Sequence, residues 1–169
     1  MIHAHTGRNQ HLRSPIRACP TCGIPLDSEY FDESGVEEIP EEQEGEVLPL
    51  GQEKVLATFE LPPQYCGVLE YFSQFTDLHA QDPAQIRTPD IQWHILINRR
   101  PLYPYLTLDR IVNPWGYGSF PVSIRLDENA RVDFIVRRIS NGSPPRIITR
   151  IGGRIVGRYW YNAIYGDVV

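Results

Sequence analysis

Residues 119–138, SFPVSIRLDENARVDFIVRR, constrain this chain more than any other stretch. Val122, Ile124 and Leu126 alternate with Ser123 and Arg125, and Val132, Phe134 and Val136 alternate with Asp133, Ile135 and Arg137. Alternation with period two is the pattern of a strand that buries one face and leaves the other to polar surroundings. Between the two runs stand Asp127, Glu128, Asn129 and Ala130, a turn-prone break that reads as a β-hairpin. Six apolar side chains on one face need a second layer to cover them.

The rest of the second half can supply that layer. Residues 54–61 read as a strand ended by Pro62-Pro63, and residues 67–76 as a second, rich in aromatic and branched side chains. Residues 91–98 carry Ile91, Trp93, Ile95 and Ile97 on one face. Residues 146–151 form another strand, broken by Gly152-Gly153, and residues 154–161 form the last. Residues 77–90 and 99–118 read as long loops, with one short turn of helix around 106–112. Roughly seven short strands with little helix predict an all-β protein, a Greek-key or jelly-roll-like β-sandwich.

Charge divides the chain into zones. Residues 1–26 hold three Arg and no acid, residues 27–60 hold twelve acids against the single Lys54, and residues 61–169 hold twelve Arg and nine acids. The acidic zone repels itself and has too little apolar surface for a core, while Pro40, Pro49 and Gly51 interrupt any long helix. The expected organisation is therefore an extended, mostly irregular N-terminal arm over 1–52 and a β-sandwich domain over 53–169. Tyr30, Phe31 and Ile39 stand out in the arm as anchors for a partner. The body is only slightly basic, which argues against nucleic acid. No apolar run approaches the length of a membrane span, and the first residues lack the apolar core of a signal peptide, so no membrane role is expected and synthesis in a cytoplasm is.

Within the arm, Cys19-Pro20-Thr21-Cys22-Gly23 resembles the zinc knuckle of rubredoxin-like and zinc-ribbon sites. Two thiolates three positions apart on a tight turn can grip one tetrahedral ion. A structural zinc site takes four ligands, and no second Cys-x-x-Cys follows. Beside Cys19 and Cys22 the candidates are His11, His3, His5, Cys66 or a residue of another subunit. Elsewhere the chemistry is thin. His94 lies within an apolar strand, Asp77 and His79 share a loop, Ser119 lacks a nucleophile elbow, and no phosphate-cradling glycine pattern is present. This chain reads as a non-enzyme. Tyr103, Tyr105, Trp115 and Tyr117, with Trp160 and Tyr161, suit a protein interface, and alternatively a sugar-stacking platform.

The run from Ile91-Gln92-Trp93-His94 through Pro101 and Tyr105, Gly118-Ser119-Phe120-Pro121, Val132-Asp133-Phe134-Ile135 and Ile151-Gly152-Gly153-Arg154 to Trp160 resembles the small β-sandwich virion proteins of tailed bacteriophages. The resemblance covers about residues 55–165 and rests on the pattern of strands and loops. It implies a structural protein of the virion: a capsid cement or decoration protein, or a neck or tail adaptor. Such a protein docks by its sandwich on major capsid, portal, neck or tail proteins, is homo-oligomeric in the assembly, and lashes a neighbour with its arm. The alternative is a carbohydrate-binding β-sandwich module of a tail or cell-surface protein.

Overall fold

The computed structural model describes residues 28–77, 90–102 and 119–161. They form eight strands: β1 (Glu29–Glu38), β2 (Glu53–Glu60), β3 (Tyr65–Thr76), β4 (Ile91–Ile97), β5 (Arg100–Pro101), β6 (Ser119–Leu126), β7 (Arg131–Arg138) and β8 (Arg150–Tyr161). The pairs β4–β5, β3–β6, β2–β7 and β1–β8 are all antiparallel, as in one long hairpin whose tip is β4–β5. At that tip Asn98 and Arg99 both take positive φ, the backbone of a two-residue turn that follows strand twist. Rolling the hairpin sends alternate pairs to opposite sheets, β1-β8-β3-β6 and β2-β7-β4-β5. This is an eight-stranded jelly roll, the sandwich that the alternating pattern implies.

Three details differ from the sequence expectation. First, β6 and β7 are not a hairpin. β6 pairs with β3 in sheet one, and β7 pairs with β2 and β4 in sheet two. The turn at 127–130, closed by the Ala130 N–H donating to Asp127 O at 3.0 Å, is an arch between sheets. Alternation fixes which side chains are apolar and inward. It does not decide whether two inward faces lie side by side or face to face.

Second, Gly152-Gly153 interrupts nothing, and β8 runs through it for twelve residues. A Cβ on Gly153 would lie 2.5 Å from the Phe134 ring, and one on Gly152 would lie 2.2 Å from the Phe75 ring. The glycines are there because aromatic rings press on both faces of the strand. Phe134 is the centre of the core, with ring centroids 5.9 Å from Phe72 in the opposite sheet and 5.8 Å from Trp93 in its own.

Third, the acidic stretch is not an extended arm through residue 52. Glu29–Glu38 is an edge strand of sheet one, and Val47 and Leu48 are buried in the core. The sandwich thus begins by Glu29 and not at residue 53. Opposite charge on the neighbouring strand offsets the self-repulsion that composition alone suggested. Beyond these, Arg138 is fully buried at the end of β7, with Nη2 donating to Arg146 O at 2.8 Å beside the part-buried Asp90–Arg146 ion pair at 3.0 Å.

Candidate docking face

Sheet one turns one side to the core and the other outward. Register assigns the outward side. Tyr30, Ser34 and Glu38 of β1 stand opposite Arg158, Arg154 and Arg150 of β8, and Val68 and Ser73 of β3 stand opposite Arg158 and Arg154 from the other flank. The three arginines recur every four residues, so on a strand they share a face. A charge pair or ring holds each one. Arg154 chelates Asp32, with Nε 2.6 Å from Oδ1 and Nη2 on Oδ2. Arg158 binds Glu70 and lies over the Tyr30 ring, 5.4 Å from its centroid. Arg150 reaches Glu38 at 3.6 Å and lies 5.3 Å from the centroid of Phe75. Hydrogen bonds from Arg154 hold the Asp32 carboxyl below the usual carboxylate range; burial opposes them, and the Arg154 charge adds a lesser downward pull.

Apolar groups are exposed between these arginines. Tyr30 is 62% exposed, Val36 54% and Tyr71 45%. Tyr71 enters this face because β3 shifts register between Leu69 and Tyr71. Beside it a shallow groove of about 280 Å³ is bordered by Ser73, Arg154 and Val156. One end of the sandwich is closed by aromatics: Phe31 stacks on Phe59 across the two sheets at 3.9 Å between centroids, and Tyr159 and Tyr65 follow. The Tyr159 hydroxyl donates to Glu29 at 2.6 Å, and that bond, with burial and the carboxylate charge adding to it, pushes the phenol up to about 12.

Of the residues singled out from sequence, Tyr30 lies on this face. Phe31 is 4% exposed and anchors its own sandwich, and Ile39 packs partly buried against the same core. Both were expected as partner anchors; alternation along β1 turns Phe31 inward, where it fills the space over Gly157. Tyr103, Tyr105, Trp115 and Tyr117 lie outside the described residues, as do Cys19, Cys22 and His11. Cys66 sits on β3, half-buried, with burial pushing its thiol up. Among the described residues no group of three or more His, Cys, Asp or Glu could hold a metal ion. Sequence reasoning passed over Arg150, Arg154 and Arg158. Their even spacing within one alternating run was the available signal.

No known protein family, no curated protein and no solved structure matches the chain.

Proposed function

We propose that this protein is a non-enzymatic structural part of a virion, of the tailed-bacteriophage kind, in which the sandwich docks on a larger protein assembly as a cement, decoration or adaptor subunit. The observation that carries the reading is the outer face of sheet one. Exposed Tyr30, Val36 and Tyr71 lie between arginines already fixed by carboxylates and rings. Arginine and tyrosine are the side chains that dominate binding energy in protein interfaces. Prior fixing lowers the entropy cost of docking them. Jelly-roll winding is a recurrent architecture of viral coat proteins. It also recurs in lectins, and the groove beside Tyr71 offers a flat ring, the Ser73 hydroxyl and the Arg154 guanidinium to a sugar. A glycan-binding module is therefore the second reading.

Density-gradient fractionation of a lysate of producing cells, read with an antibody to this chain, tests the first. Recovery in the particle fractions, lost in Tyr71→Glu, supports it. Chain that stays with soluble protein in lysates rich in particles overturns it. Retention on a glycan array, lost in Tyr71→Ala, would move the assignment to the second.

A further inference from the structure

β1 is an edge strand that the sandwich holds lightly. It has one hydrogen-bonded neighbour, β8, and eight of its ten residues are exposed. A single side chain, Phe31, is buried. What else holds it is a backbone ladder and charge at the surface: Asp32 with Arg154, Glu38 with Arg150, Glu29 with Tyr159, and Glu37 with Lys54 of β2 at 2.8 Å. Few buried apolar contacts and many solvent-exposed backbone bonds mark a segment that opens well below the cost of global unfolding.

The slot that β1 fills is particular about its occupant. A Cβ on Gly157 would lie 2.5 Å from the Phe31 ring, so that ring lies directly over a glycine. Four residues on, a Cβ on Gly35 would lie 1.9 Å from Leu56 O, so only glycine passes there. A strand that fits as β1 does presents an aromatic to Gly157, a carboxylate to Arg154 at the next position, and a glycine to Leu56 four residues after the aromatic. The β1 of a second copy meets all of these conditions. It would make the same ladder, ion pairs and stack, so exchange loses no contact and must overcome only opening and association.

The connector is built to permit this. Ile39 N donates to Thr149 O and Val47 N to Ile148 O, so the chain leaves and rejoins the body at adjacent points. Between them residues 40–46 belong to no strand, and Glu41, Glu42 and Glu44 are exposed. Like charges extend such a segment, and seven residues reach about 20 Å when drawn out.

We infer that β1 is an exchangeable strand, and that the slot along β8 takes the β1 of a second copy of this chain. Reciprocal exchange gives a closed dimer, and one-way exchange gives rows. The inference deepens the assembly reading by naming the neighbour and the element, but it stands on the geometry of β1, its slot and its connector.

Lys54 is the single lysine of the chain, which makes the test specific. Natural-abundance and ¹⁵N-labelled full-length protein are mixed in equal amounts, incubated over a range of concentration and salt, and treated with a zero-length carbodiimide. The Lys54–Glu37 cross-linked peptide is then weighed. Exchange gives mixed-label peptides in the oligomer fractions, as abundant as the two same-label forms together. Asp32→Asn, which removes an ion pair without touching the core, speeds the mixing several-fold. Same-label peptides alone, in every fraction and at every concentration, overturn the inference. Mixed-label peptides from a chain that never enters particles would leave exchange standing and sink the virion reading. Same-label peptides from a chain found in particles would do the reverse.

Discussion

β7 and β1 are strands of similar length held in place by different physics. β7 is paired on both sides, by β2 and β4, and six of its eight residues are buried, Asp133 and Ile135 of its outward register among them. β1 is paired on one side and buries one side chain in ten. β7 thus has two backbone ladders to the one of β1. They differ as much in the apolar surface removed from water, which is the dominant favourable contribution in folding. β7 is part of the reason the sandwich exists. β1 is a strand that an existing sandwich can accept or release.

Cutting one aromatic from each strand separates the two most widely. Phe134→Ala empties the centre of the core, where the ring meets Phe72 and Trp93, and should cost about 3–5 kcal/mol, with a fall in Tm of roughly 10 °C. Phe31→Ala removes the sole buried side chain of β1. It should strip hydrogen-exchange protection from residues 29–38 while residues 131–138 keep most of theirs, with a smaller fall in Tm. Equal loss of protection in both segments would mean that β1 is as integral as β7, and the contrast would fail.

The same contrast explains what could be read in the sequence. The inward set of Val132, Phe134 and Val136 was legible because period two is a property of the strand itself. The arch between β6 and β7 was not, because residues 127–130 close a turn of similar length in either arrangement. β1 was illegible for a different reason. Averaged over 27–50 the composition cannot build a core, and the residues that neutralise it, Arg150, Arg154 and Arg158, lie more than a hundred positions away. Only register brings Glu38 opposite Arg150. Gly152-Gly153 looked like a break because sequence shows the glycine but not the rings of Phe75 and Phe134 that exclude a side chain there.

A smaller effect comes from pH, and it should act on β1 at both ends of the scale. Arg154 holds the Asp32 carboxyl below its ordinary value. The ionised form is the one the fold favours, so this contribution is present above about pH 4 and is lost as pH falls through the lowered value. Tyr159 is the opposite case, its phenol pushed up to about 12 chiefly by the hydrogen bond to Glu29. The protonated form is favoured, so that contribution is intact below about pH 10 and is lost as pH rises from there toward the folded value. Amide signals of 29–38 should therefore collapse toward random-coil positions in acid and in strong base before those of 131–138 move. Tyr159→Phe should remove the alkaline limb and leave the acid one. Parallel loss in both strands at either extreme would show that charge does not hold β1 selectively.

The smallest effect is the most discriminating about mechanism. Arg125 and Asp127 form an ion pair at 2.8 Å, as short as Lys54–Glu37, but it joins neighbours at a turn and their side chains are 83% and 79% exposed. No strand depends on it. Long side chains held together in high dielectric return little, so Arg125→Gln should change stability by less than about 0.5 kcal/mol and leave the exchange pattern of β1 as it was. Asp32→Asn also removes an exposed pair, yet it should expose the amides of β1 to exchange while changing Tm little. The difference lies in what each pair closes. At 125–127 the arch is fixed by buried Leu126 and Ala130 on either side, and the charges add nothing to it. Along β1 the core offers Phe31 alone, so surface pairs too weak to stabilise a protein are strong enough to decide whether one strand stays down.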